Sequence, residues 1–360
     1  MIKVDIHLQR KNFEVRINET FSNGITGIYG ASGSGKTSLL HSIAGLENPE
    51  KGEIRIGEHA VYHTKEGVRI PVEKRNVGYV FQEGRLFPHL TVEQNLLYGL
   101  KKKRPSRISF DEVVEMLNLK LLLTSKPSDI SGGERQRTAL GRSLLSSPDI
   151  LLLDEPFSAV DTRLREQILP FLLKIHQRVA IPVLVVSHDL PDLLKLTNML
   201  CIIQEGKCIG HNDYYNLLKS ETVAEIFGSG SVVNSIHMQV SKVNVENGLT
   251  VLSKENGLNV IRVKCEKSKE AYKAGQALKV FINAEDIALS KSKLKDVTIQ
   301  NQLEGTITDV VDRGASKLCI VDVGFRLVVE ITIESQKRMD IAVGSKVWCL
   351  FKSVAIDVAG

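Results

Sequence analysis

The run Gly30-Ala31-Ser32-Gly33-Ser34-Gly35-Lys36-Thr37 sets glycines, an amine and hydroxyls at a spacing suited to holding phosphate. Glycines there let successive backbone N–H groups curl around phosphate oxygens. Lys36 can reach β- and γ-phosphates, Thr37 can ligate Mg2+, and Ser38 completes the candidate nucleotide-contacting set. A helix starting at this point directs its positive end at the anion. The pattern has this meaning only between a strand and a helix. Ile25 to Tyr29 reads as a buried strand, and Thr37 to Leu46 as a helix that Gly45 and Pro49 help to end.

A second constellation is Ile150-Leu151-Leu152-Leu153-Asp154-Glu155-Pro156. The apolar run is too short for a helix and matches a parallel strand buried on both faces. Two carboxylates at its end would set Asp154 near the metal and Glu155 where it can polarise an attacking water. A buried strand with a solvated acidic end is common by itself. Joined to the glycine-rich loop, it points to hydrolysis of a nucleoside triphosphate.

These groups need a scaffold. Residues 1–28 alternate apolar and polar positions, as antiparallel strands do. From about 106 to 147 the pattern is helical, with Arg135 to Leu145 a second candidate helix. Leu164 to Val179 again has helical spacing, and Val183–Val186 reads as another buried strand. Alternating strands and helices give an α/β fold. Gly228-Ser229-Gly230-Ser231 reads as a flexible linker. Beyond it helices disappear, and Gly305–Val311, Lys317–Val323, Arg326–Ile333 and Lys346–Val358 alternate like the strands of a small barrel. The expected division is 1–228 and 229–360, with the barrel at about 293–360.

The composition is compatible with this. A chain of 360 residues fits about two domains. Its net charge of +5, from 47 basic and 42 acidic side chains, is mild and unlike the concentrated basic face of a nucleic-acid binder. No apolar run approaches the roughly 18 residues of a membrane helix. The first residues lack a signal-peptide pattern. Five cysteines (Cys201, Cys208, Cys265, Cys319, Cys349) without CxxC spacing fit a reducing compartment.

Between the two phosphate motifs lies Ile130-Ser131-Gly132-Gly133-Glu134-Arg135-Gln136-Arg137, which resembles the signature of ATP-binding-cassette ATPases. Gln82, Asp161 in Ser158-Ala159-Val160-Asp161, and His188 in Ser187-His188-Asp189 follow in that family's order. The resemblance spans residues 30–188. It implies a P-loop cassette domain with a helical subdomain, binding ATP and Mg2+. It also implies that His188 contacts the γ-phosphate and holds the attacking water, that Gln82 touches Mg2+ and signals to a partner, and that Asp161 links two sites. In this family Ser131 and Gly133 of one chain face the glycine-rich loop of another, which implies a head-to-tail homodimer. Glu134 stands where glutamine is commonest, and Val160 where leucine is. Adenine usually stacks on an N-terminal aromatic; Phe13 is the nearest, with a plain core role the equal alternative. Lys101-Lys102-Lys103-Arg104 reads as a solvated loop, or as a contact for anionic lipid.

The segment between Thr37 and Ser131 is too short for the coiled coil of chromosome and repair cassettes, and a single glycine-rich loop is unlike the tandem ribosomal branch. Gln82 to Val92 resembles the importer branch, where it borders the groove receiving a permease helix. Glu73 to Gln82, Arg85 to His89 and Ile17 to Thr20 resemble the molybdate importer ATPases most. The implied setting is the cytoplasmic face of the membrane, on two permease subunits served by an external binding protein. Thr298-Ile299-Gln300-Asn301-Gln302-Leu303 and Phe351-Lys352-Ser353-Val354 resemble the two segments of an oligonucleotide-fold-like, molybdate-binding domain. Thr298, Gln300, Lys352 and Ser353 are then candidate oxyanion contacts, with molybdate or tungstate as a regulatory ligand. Gln300 replaces a frequent arginine, which removes charge. A barrel that only dimerises and docks is the alternative for the tail. Importers of sulfate, sugars or polyamines, and a non-transport cassette, are the alternatives for the whole.

Overall fold

The computed structural model describes residues 1–10, 13–100, 107–158, 160, 162–227, 232–244, 249–254, 260–264 and 272–359. Asp161, Lys101–Arg104, the Gly228–Ser231 stretch and Cys265 lie outside the described residues. The chain divides into two compact units, Met1–Tyr214 and Tyr215–Gly360.

In the first unit one sheet of eleven strands joins two kinds of pairing. Its antiparallel half includes Ile2–Arg10 and Phe13–Phe21, paired from Ile2 opposite Phe21 to Arg10 opposite Phe13. Alternation fixes this register, because a one-residue slip would turn Ile2, Val4, Ile6 and Leu8 to water. The parallel half runs in the order Met199–Gln204, Ile25–Tyr29, Val183–Val186, Ile150–Asp154 and Val77–Val80. Ile150–Asp154 and Val183–Val186 are buried at every position, as expected of strands covered on both faces. Parallel neighbours end on the same edge, and the phosphate and acidic motifs both sit at those ends.

The helix after the glycine-rich loop spans Lys36–Ala44, two residues shorter than expected at its C-terminus. Gly45 ends it in the left-handed region (φ 84°), donating to the His41 and Ser42 carbonyls. Leu39, Leu40 and Ile43 are fully buried, each worth roughly 1.5–3 kcal/mol. Beneath this end the buried Arg75 guanidinium donates to Ser42 and Ile43 oxygens at 2.9 and 3.0 Å. A cation there meets the negative helix end. The strands Val77–Val80 and Ile150–Asp154 are adjacent, yet the chain between them carries helices Val92–Tyr98, Phe110–Met116 and Gly132–Leu145. That last helix begins three residues before the expected Arg135. Ser131 caps it and accepts from the Glu134 N–H, while the Glu134 carboxylate accepts from the Ser131 N–H.

The second unit contains two five-stranded antiparallel sheets. Three differences from the sequence-based expectation appear. Helix is present at Ile333–Arg338, capped by Thr332, so helices do not vanish from the tail. The expected strand Lys346–Val358 breaks at Lys352–Ile356, and its pieces join different sheets: Lys346–Phe351 pairs with Asn301–Asp312, and Asp357–Ala359 with Ala277–Asn283. The last of these pairings ties the end of the chain to a strand that precedes residue 293. Ile236, Val240, Leu252, Val263 and Val280 share one core with Leu303, Val321, Cys349 and Phe351. The packing boundary at Tyr214/Tyr215 also precedes the expected 228. The Tyr215 hydroxyl, which accepts from the Ser235 N–H and donates to the Ser235 carbonyl, explains why this segment packs with the tail.

Candidate functional site

At the loop, Gly30 has no room for a side chain: a Cβ would lie 2.1 Å from the Ile203 carbonyl oxygen. Gly35 adopts φ 106°, a left-handed conformation that costs other residues strain. The buried Lys36 ammonium donates to the Gly30 and Ala31 carbonyls, both at 2.8 Å, folding back over the loop. Burial lowers its pKa from the ordinary lysine value, and the Glu155 and Asp154 carboxylates oppose that shift. Ala31, Ser32 and Gly33 are exposed, whereas Ser34 and Ser38 are buried. Ser34 Oγ is buried with no hydrogen-bond partner among the described residues. A buried hydroxyl without a partner in such a loop is a polar group that an anion can satisfy.

Thr37 Oγ1 donates to Asp154 Oδ1 at 3.2 Å, and the Tyr79 hydroxyl donates to Asp154 Oδ2 at 3.1 Å. Burial, then the Asp154 charge, raises the Tyr79 pKa, so this phenol stays a donor. An exposed hydroxyl beside a carboxylate, next to a phosphate cradle, is the oxygen donor set Mg2+ takes. The residues fit that ion.

One residue on, Glu155 has φ 48°, the left-handed region, with its N–H held by the Val186 carbonyl at 3.1 Å. Gln136 Nε2 donates to the Glu155 carbonyl at 3.2 Å. Glu155 Oε1 lies 3.0 Å from His188 Nδ1. The carboxylate is 14% exposed and the imidazole 71%, so the pair spans the boundary between protein and solvent where a water would react. A carboxylate so placed can accept a proton from water.

The structure thus brings Lys36, Thr37, Asp154, Glu155 and His188 together. Gln82 is exposed in the turn after Val77–Val80, on the same sheet edge, with no hydrogen bond to Thr37 or Asp154 among the described contacts. Ser131 and Gly133 head their own helix, and Ser131 is exposed. No described contact joins them to the glycine-rich loop. Phe13 is half-buried, 3.4 Å from where a Gly35 Cβ would stand, so it borders the loop and packs on the core at once. Tyr79 and Gln136 stand in the motif runs without an assigned role; only the fold reveals their partners. No motif marks the Glu205-Gly206 turn, yet the Gly206 N–H donates to the Ser34 carbonyl at 2.9 Å.

In the second unit Ser353 is buried and its hydroxyl donates to Gln300 Oε1 at 2.9 Å. Thr298 and Lys352 are exposed beside them. Arg262, which no motif marked, places its guanidinium 3.4 Å from the Gln300 carbonyl. Asn301 fixes this arrangement by bonding both backbone groups of Arg262.

Residues 12–158 match the ABC transporter family, and residues 298–358 match the TOBE domain. The molybdenum import ATP-binding protein ModC of Haemophilus ducreyi is 32% identical, over 99% of this chain and 100% of its own. The protein of that name from Paramagnetospirillum magneticum is 34% identical, over 99% of each chain. Among solved structures, the dimeric bacterial ABC transporter cassette MJ0796 is similar at 26% identity and a TM-score of 0.51, covering 59% of this chain and 99% of that one. MJ0796 in a dimeric post-hydrolysis state with ADP and Pi is similar at a TM-score of 0.50.

Proposed function

The chain belongs to the molybdenum-import ATP-binding proteins of the ATP-binding-cassette family, and on that premise we propose how its residues work. It is the ATP-hydrolysing subunit of a molybdate importer. The observation that carries the catalytic reading is the Glu155–His188 contact at the open end of the phosphate cradle.

In this reading the N–H groups of the Gly30–Thr37 loop enclose the β- and γ-phosphates. Lys36 swings from the Gly30 and Ala31 carbonyls to phosphate oxygen, and Phe13 stacks on adenine. Thr37, Asp154 and Gln82 would hold Mg2+, which neutralises charge on the phosphates when bound. Glu155 accepts the proton of the attacking water. His188 orients that water and contacts the γ-phosphate. Ser131 and Gly133 head a helix of their own, and in this reading they meet the ATP of a second copy, with Asp161 taking part in linking the two sites. The homodimer is closed by ATP and released by hydrolysis.

The coupling surface follows from Gln82. Asn95 accepts from the Phe87 N–H at 2.9 Å and donates to the Phe87, Leu90 and Thr91 carbonyls. Arg142, on the helix headed by Ser131, donates to the Arg85 carbonyl at 2.9 Å. The loop beside exposed Leu97 and Tyr98 is thereby tied to both motifs. Two permease subunits dock there, at the cytoplasmic face of the membrane, and an external binding protein delivers the anion to them. Among the described residues no helix is long and apolar enough to cross a membrane.

Cells lacking this chain should lose uptake of labelled molybdate at trace concentration. Uptake should return with the intact chain and not with Glu155→Gln; unchanged uptake without the chain overturns the reading. For residues 229–360 we propose regulation by oxyanion. Ser353, Gln300, Thr298 and Lys352 supply the donors, and Arg262 restores the guanidinium that Gln300 lacks. Calorimetric titration of the full chain with molybdate should show binding that Arg262→Ala weakens by about 10-fold, as loss of one charge-assisted hydrogen bond implies. No heat above a sulfate control would leave the tail as a docking module.

A further inference from the structure

The hairpin beside the phosphate loop carries a close pair of thiols. Cys201 lies on Met199–Gln204 and Cys208 on Lys207–Asp213, the two strands joined by the Glu205-Gly206 turn. Their sulfurs are 3.4 Å apart. Cys201 is fully buried and Cys208 half-buried, both against the same core. All four described cysteines are free thiols. A disulfide holds its sulfurs at about 2.05 Å, so closing the bond needs a shift of roughly 1.3 Å. The strand register shifts between Ile202 and Ile203, a local irregularity in the ladder beside the pair.

We propose that Cys201 and Cys208 form a reversible modification site, oxidised by hydrogen peroxide to an intrachain disulfide that loosens the phosphate loop. Cys208, the more accessible sulfur, attacks peroxide. Its S–O bond forms, the O–O bond breaks, and one water leaves. Cys201 then attacks the Cys208 sulfur. The S–S bond forms, the S–O bond breaks, and hydroxide leaves with the Cys201 proton as a second water. Two thiols lose two electrons, and peroxide gains them. The Cys208 contact, then burial and then Glu19 push the Cys201 thiol well above its ordinary range, which disfavours its attack on peroxide and leaves that first step to Cys208.

Coupling to ATP follows from the turn between the two cysteines. The Gly206 N–H donates to the Ser34 carbonyl at 2.9 Å, and the Gly206 carbonyl accepts from the Arg16 N–H at 2.8 Å. The Ile203 carbonyl oxygen fills the space beside Gly30. Drawing Cys208 toward Cys201 displaces the residues that hold Ser34 and Gly30. The disulfide itself stands on the sulfur geometry and is independent of the assigned catalytic roles.

The test uses the full chain carrying Cys265→Ser, treated with hydrogen peroxide and then with dithiothreitol. Trypsin cuts after Lys207, so a disulfide links peptides 196–207 and 208–219 in unreduced mass maps. The expected result is that linked pair, a several-fold fall in ATP hydrolysis, and recovery of both on reduction. Cys208→Ser and, separately, Cys208→Ala should keep basal hydrolysis and lose the sensitivity. Absence of the linked peptides overturns the site. Linked peptides with unchanged hydrolysis, or equal inactivation of both Cys208 variants, overturn the coupling.

Discussion

Replacing Glu155 by glutamine is expected to lower ATP turnover by about 10²–10⁴-fold, the usual range for removing a positioned general base. The amide keeps the shape of the carboxylate and can still face His188, but it cannot take a proton from water. Backbone placement should survive, because Glu155 is held by its N–H to Val186 and by Gln136 at its carbonyl, not by its side chain. Nucleotide affinity should therefore stay near wild type. ATP held without turnover should lengthen the life of the closed dimer, so gel filtration with ATP should show a dimer peak that the wild type loses as it hydrolyses. The decisive measurement is single-turnover hydrolysis of labelled ATP. A wild-type rate in the variant would remove Glu155 from the mechanism.

The second large effect concerns Lys36. Its ammonium is buried, and its hydrogen bonds go to two carbonyls of its own loop. Burial disfavours the charged form, a cost the fold accepts in the absence of phosphate. Lys36→Ala should then leave thermal stability unchanged or slightly raised, since the desolvated charge goes with the side chain. ATP binding should weaken by about 10²-fold or more, because charge-assisted hydrogen bonds are worth about 1.5–3 kcal/mol each and the proposed role gives Lys36 two phosphates. Titration with a fluorescent ATP analogue, alongside thermal melts, separates the two readouts. Lost stability together with lost binding would mean that Lys36 holds the loop rather than the nucleotide.

Both variants were legible from local sequence, and so was most of their setting. Gly30 to Thr37 declares itself because a tight left-handed turn, a helix start and an amine are properties of consecutive residues. Ile150 to Glu155 does the same, since a run buried on both faces can end only where polar groups reappear. The capping box at Ser131 is equally local. Four residues suffice to specify it, and Glu134 serves the cap as glutamine would.

The pairings are of another kind. His188 meets Glu155, and Tyr79 meets Asp154, because parallel strands order themselves across the sheet. No single segment encodes that order. It emerges from the summed burial of many side chains, of which each strand carries only a share. The tail shows this most plainly. Its four described motif residues are readable, yet Arg262 reaches Gln300 from a strand outside both motif segments. A core shared between residues 233–290 and 301–358 places it there.

By itself the sequence named the candidates for the proposed chemistry: a glycine-rich loop, a hydroxyl and a carboxylate for the metal, a carboxylate for the base, and a capped helix start. Backbone conformation over a few residues follows from the residues themselves, so such motifs survive without knowledge of the fold. The tertiary structure alone decided which groups touch and how buried each is. It also decided that the turn at Gly206 braces the loop at Ser34. Those are long-range outcomes, set by packing and sheet register across segments far apart in the chain.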